Sequence, residues 1–160
     1  MSDGQPVTQA PPTHFEVIAF YPIFPTPRRY ESLMGHLAFN INGQIWSREK
    51  YGWNKEVNFS KYMADNAWRD AVGYVLDDPD NTDWAQSLAG AVMDFKGAWT
   101  PNRNCGEPFC NATRELGLPE NNSLTPMEHR TYIQNKLRPF IKAINYYHNG
   151  KVTRTINVRR

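Results

Sequence analysis

The sequence predicts an α+β domain, a small antiparallel sheet packed against about four helices. Three observations carry this. Residues 14–23, HFEVIAFYPI, are rich in β-branched and aromatic types and read as a strand. Asn42-Gly43 separates two short runs within 35–49, the strongest two-residue signal for a hairpin. From residue 58 the apolar residues recur mostly at helical spacing, until VTRTINV reads as a closing strand.

Each element follows from local chemistry. Residues 1–13, MSDGQPVTQAPPT, are polar and proline-rich and are expected to form a flexible leader to a single domain over 14–160. They lack a charged stretch followed by an apolar one, so synthesis in the cytoplasm without a secretory signal is expected. The first strand is followed by a loop, FPTPRRYESLM, with two prolines. Residues 35–49 form the hairpin. In 58–76, Phe59, Tyr62, Met63, Trp68, Val72 and Leu76 lie near helical spacing and predict a first helix. DDPDNTD is a turn. A second helix over 83–97 aligns Trp84, Leu88, Val92 and Phe95. A third follows Cys105 and stops at Gly117, with Pro119 just beyond. Thr125-Pro126-Met127-Glu128 is a capping box with proline at the first helical position. It opens a fourth helix, predicted to reach about Tyr147 with a kink at Pro139. HNGK turns the chain into the last strand.

Composition narrows the function classes. The net charge of +2 and pI near 8.5 are too mild to argue for nucleic acid. No apolar run approaches the roughly 18–20 residues of a membrane span. Two cysteines make no disulfide framework, and the four histidines (His14, His36, His129, His148) form no metal motif. Neither a metal nor another cofactor is expected.

The chemistry concentrates in residues 100–119, TPNRNCGEPFCNATRELGLP, which hold both cysteines. The pair could be a disulfide, a metal site, two buried thiols, or one activated nucleophile beside a packing residue. Cys105 stands at the mouth of the third helix, where backbone N–H groups and the helix dipole favour thiolate. Those N–H groups could also hold an oxyanion. Cys110 would lie about 8 Å further along if both were helical, beyond disulfide reach, and reads as a small buried apolar residue. A nucleophilic thiol needs a base. A two-residue turn pairs Ile41 with Gln44 and sets His36 opposite Glu49, on one face with Ala38, Asn40, Ile45 and Ser47. Leu37, Phe39, Ile41 and Trp46 take the other face. Cys105, His36 and Glu49 are therefore the candidate nucleophile, base and orienting carboxylate. A slip of one residue would bring Ser47 or Arg48 nearest His36 instead. Asn104 beside the thiol, Ser47 beside His36, and Trp46 are the candidate substrate contacts. Trp46 belongs to a set of aromatics (with Tyr21, Phe24, Tyr30, Trp53 and Trp99) that could line a groove or simply pack. The plain alternative for the triad is a packing thiol, a structural histidine and an exposed glutamate.

Gly35-His36 followed by LAFNI, and later NRNCGEPFCNATRELGLP, resemble the circularly permuted NlpC-type papain-like hydrolases. The lecithin:retinol acyltransferase-like proteins belong to the same group. That pattern places Gly-His and a strand before the cysteine, then Asn-Cys-x-x-Phe opening a helix that ends in glycine. Asn104-Cys105, Phe109 and Gly117 match it, with Phe109 one place late because of Gly106-Glu107-Pro108. The Thr125-Pro126 helix opening is also similar. No second histidine follows on the return strand, which disfavours a lipid acyltransferase. The resemblance implies a permuted papain-like fold and a thiol-dependent amidase or endopeptidase acting on peptidoglycan stem peptides. Some relatives are type VI secretion toxins that act in a rival's periplasm, which would imply a cognate immunity protein over the groove. Action on lipid esters or a protein glutamine, and a binding module without catalysis, are the alternatives.

Overall fold

The structure, a computed structural model, describes residues 12–22, 35–49, 52–97 and 105–158, with only the backbone at 49 and 52–56. The strands are β1 (Phe15–Phe20), β2 (His36–Ile41), β3 (Gln44–Glu49), β4 (Gly52–Asn58), β5 (Ala71–Leu76), β6 (Ile141–His148) and β7 (Lys151–Asn157). They form one antiparallel sheet in the order β4-β3-β2-β1-β5-β6-β7. Four α-helices are present among the described residues: α1 (Phe59–Asp65), α2 (Trp84–Met93), α3 (Glu107–Glu115) and α4 (Pro126–Lys136). The α+β class holds, with a sheet larger than the small one expected.

The central strand explains the layering. All six residues of β1 are buried, so the sheet is covered on both faces there. Phe15, Val17 and Ala19 point with Leu37, Phe39 and Ile41 into the larger core, against Leu88, Val92, Phe109 and Ile133 of α2, α3 and α4. Ile18 and Phe20 point with Ala38 and Ile45 to the other side, where α1 supplies Tyr62 and Met63.

The β2–β3 hairpin has the expected register: Ile41 pairs with Gln44, Phe39 with Trp46 and Ala38 with Ser47. Asn42 and Gly43 both take positive φ, 54° and 87°, as a type I′ turn requires. Asn149-Gly150 repeats the device between β6 and β7, with φ of 53° and 76°. Gly117 adopts φ +68° just past α3, and the Leu118 N–H returns to the Thr113 carbonyl at 3.0 Å, so the helix ends where its glycine predicts. Thr125 caps α4 by accepting from the Glu128 N–H.

Two predicted helices are shorter and give way to strands. The helix expected over 58–76 stops at Asp65, where Asn66 turns both its backbone N–H and its side-chain amide onto the Tyr62 carbonyl. Residues 71–76 then form β5 beside β1. Val72, Tyr74 and Leu76 alternate into the larger core. The helix expected to reach Tyr147 ends at Lys136, and a 3-10 turn over Arg138–Phe140 leads into β6. Proline at 139 has no N–H to give the Asn135 carbonyl, so the α-helical hydrogen bonds cannot continue through it. The run Ile141–His148 is rich in β-branched and aromatic residues and suits a strand.

A buried carboxylate ties the second face together. Glu16 is 1% exposed and accepts from Tyr147 Oη at 2.6 Å, Asn145 Nδ2 at 3.1 Å and Asn40 Nδ2 at 3.2 Å. Burial raises its pKa, but the hydrogen bonds from His14, Tyr147, Asn145 and Asn40 outweigh that and hold it below the ordinary value. Glycine at 73 leaves the room: a Cβ there would fall 1.9 Å from Glu16 Oε2.

Candidate functional site

Gly35 starts the site. Its φ is +83°, and a Cβ would lie 2.5 Å from the Phe20 carbonyl oxygen, so only glycine brings the chain this close to β1 before β2 begins. The next residue, His36, pairs with Phe20. Its ring stands on the Ile18–Phe20 face, 6.4 Å from the Phe20 ring. Its Nε2 meets Ser47 Oγ at 2.6 Å, and the Tyr62 hydroxyl donates to the same Oγ at 3.3 Å. A hydroxyl has two lone pairs, so Ser47 can accept from both Tyr62 and Nε2–H. In that tautomer the lone pair sits on Nδ1, the ring nitrogen nearer the backbone.

Cys105 is 5% exposed, two residues before α3, and belongs to the larger core. Its sulfur accepts a hydrogen bond from the Leu37 N–H at 3.2 Å. Leu37 N is two bonds from the His36 Cα, so the sulfur lies within roughly 10 Å of every imidazole atom. The backbone of β2 between His36 and Leu37 thus separates the two side chains. The sulfur lies with the Leu37 face, and the imidazole leaves the strand on the opposite one.

The other expected positions distribute as follows. The register is unslipped and sets Ser47 against His36; the Glu49 side chain, expected as the orienting carboxylate, lies outside the described residues. Ser47, expected as a substrate contact, is buried, with its hydroxyl against His36 and Tyr62. Trp46 is half-buried and packs against the core that holds Cys105. Asn104, with Phe24, Tyr30 and Trp99, lies outside the described residues, as does the side chain of Trp53. Both cysteines are buried thiols and form no disulfide.

A second cysteine–histidine cluster was not expected. Cys110 Sγ lies 3.9 Å from His129 Nε2, and Asn121 Nδ2 lies 3.4 Å from His129 Nδ1. The hydrogen bonds fix the protons. Asn121 Oδ1 accepts from the Ser123 N–H at 3.1 Å, so Nδ2 donates to His129 Nδ1 and the ring proton is on Nε2. The Cys110 thiol donates to the Ser123 carbonyl at 3.6 Å. Burial lowers the His129 pKa to about 3. Burial, with Glu107 adding, pushes the Cys110 thiol up to about 12. An imidazole protonated on the nitrogen facing the sulfur cannot take the thiol's proton. The cluster is therefore a neutral, satisfied network, although Cys110 and Asn121 line a cavity of about 270 Å³. One signal in the sequence points to His129: it shares a helical face with Tyr132 and Ile133, three and four positions on, and all three are buried.

No helix among the described residues is long and apolar enough to cross a membrane. Comparison of the chain with protein-family models, with curated proteins and with solved structures finds no match.

Proposed function

We propose that the chain is a permuted papain-like cysteine hydrolase that cleaves an amide bond, with peptidoglycan stem peptides as its substrate class. The observation that supports this most is the Leu37 N–H on the Cys105 sulfur, at 3.2 Å. It sets a donor that favours thiolate against the sulfur, one peptide unit from the residue that bears the imidazole. In this reading the thiol proton passes to His36 Nδ1, while Ser47 holds Nε2. The thiolate attacks the amide carbonyl carbon, and the amine leaves with the proton from the imidazolium. Water then adds to the thioester with His36 as base, releasing the carboxylic acid and restoring the thiol. Because the face of a strand residue is set by its Cα–Cβ direction, proton transfer requires the backbone at Gly35-His36 to rearrange so that the imidazole leaves the Phe20 face for the Leu37 face. An antibacterial toxin of this class, secreted into a rival's periplasm, would have an immunity protein as its partner.

The test is digestion of purified peptidoglycan with products read by mass. Wild type is expected to release cleaved muropeptides, and Cys105→Ala and His36→Ala to release none. Fatty-acid release from vesicles without muropeptides would move the same thiol to esters. Equal release by wild type and Cys105→Ala would overturn the proposal.

A second reading has one observation in its favour. Cys105 is buried in the larger core while His36 packs on the opposite face, as a non-catalytic binding module with a packing thiol would also have. That reading expects Cys105 to react no faster than free cysteine.

A further inference from the structure

The network of Cys110, His129 and Asn121 has no part in the proposed reaction, yet it touches the turn that carries Cys105. Gly106 follows Cys105 directly and is the N-terminal flanking residue of α3, with φ −91° and ψ −13°. That backbone suits any residue. The side-chain space does not: a Cβ on Gly106 would lie 2.2 Å from His129 Nε2 and 2.7 Å from Cδ2. Glycine is required because the imidazole edge already occupies the position.

The imidazole is firmly held. It is 1% exposed, and its ring packs 5.8 Å from that of Phe109. Asn121 donates to Nδ1 and is itself oriented by the Ser123 N–H. The Thr125 cap starts α4, and the His129 N–H joins the Thr125 carbonyl at 3.0 Å within its first turn. A neutral N–H edge fixed to α4 therefore forms the floor under the residue next to Cys105.

We propose that His129, held by Asn121, is a positioning residue for Cys105: it sets the height of the Cys105–Gly106 turn so that the sulfur meets the Leu37 N–H. This rests on Cys105 being the nucleophile. With the floor altered, Gly106 shifts, the sulfur loses that donor, and thiolate becomes less favoured.

The test is the rate of alkylation by iodoacetamide from pH 5 to 9, followed separately at Cys105 and Cys110 by peptide mass. It compares wild type with His129→Phe, His129→Gln, Gly106→Ala and Asn121→Ala. For His129→Phe and Gly106→Ala the Cys105 profile is expected to move up by about one pH unit, which slows reaction at pH 6.5 about tenfold. His129→Gln, which keeps an N–H donor, is expected to recover part of this. Cys110 reports packing and is expected to stay slow. Should the bulkier changes unfold the chain, Asn121→Ala removes the anchor alone and is expected to shift Cys105 in the same direction. Folded variants whose Cys105 profile coincides with wild type overturn the positioning role and leave the hydrolase reading standing. A wild-type Cys105 that reacts no faster than free cysteine overturns both.

Discussion

Gly35 and Glu16 are single residues whose roles no neighbour can take over. Gly35 combines φ +83° with a backbone oxygen 2.5 Å from where a Cβ would be. Gly35→Ala is expected to cost at least about 2 kcal/mol, from left-handed strain plus displacement of β2 from Phe20. A urea unfolding midpoint unchanged from wild type would contradict this. Besides His14 at 3.7 Å, Glu16 accepts from the Tyr147 hydroxyl and the amides of Asn145 and Asn40. A glutamine would turn an NH₂ group toward at least one of them. Glu16→Gln is therefore expected to destabilise the fold by about 3 kcal/mol, read by the same unfolding measurement. Neither role could be read from residue type alone. The glycine was visible as part of a Gly-His motif, but its reason is the nearness of Phe20. Glu16 sits in an otherwise apolar strand, and its partners come from residues 40, 145 and 147.

At the scale of elements, local signals succeeded where chemistry pins the backbone. Asn42-Gly43 fixed both the turn and the register, so the two faces of the hairpin were assigned correctly, Ser47 with His36 and Trp46 away from it. Gly117 and the Thr125 cap marked helix ends for the same reason. Thr125→Ala is expected to cost about 1 kcal/mol by leaving the Glu128 N–H without its acceptor, and stability equal to wild type would refute that. The pattern failed where two periods agree. Val72 and Leu76 are four apart, one helical turn but also two strand repeats on one face. Only Tyr74 between them separates the readings, and it does so because it is buried with both. The helical expectation fails from 141 because the helix before it is well formed and the stop lies in Arg138-Pro139 rather than in a glycine. In the candidate site, the helix mouth pointed to Cys105 and the hairpin to His36. The described partner of the imidazole is a short buried hydroxyl, Ser47 Oγ at 2.6 Å from Nε2, which the hairpin register already places on the His36 face. His129 was missed because its partners, Gly106 and Asn121, come from a neighbouring helix start and a loop.

For the molecule as a whole, His129 and Glu16 are two buried titrating groups whose response to acid has a definite sign. Burial holds His129 near 3, whereas its ordinary value is 6.5. The unfolded chain therefore takes up a proton below pH 6.5 that the folded chain refuses until about 3. The contribution of His129 to stability is complete above pH 6.5 and falls by about 1.4 kcal/mol per pH unit between there and about 3. Glu16, held below its ordinary 4.5, adds a further loss once the pH falls below that value. Urea unfolding at pH 7.5 and pH 5.0 is expected to show a loss of about 2 kcal/mol in wild type. His129→Leu, less stable at pH 7.5, is expected to lose less by about that amount. An identical pH slope in both proteins would show that His129 is not buried as a neutral imidazole. The seven-stranded sheet is what allows such groups, because its centre is covered on both faces. The same layering brings a helix start to the beginning of β2, where the Cys105 sulfur accepts from the Leu37 N–H one peptide unit from His36. The most direct measurement there is the iodoacetamide reactivity of the two wild-type thiols at pH 6.5, each followed by its own peptide mass. Cys105 is expected to react faster than free cysteine while Cys110, with its thiol pushed up to about 12, stays inert. A Cys105 as slow as Cys110 would contradict an activated nucleophile at the mouth of α3.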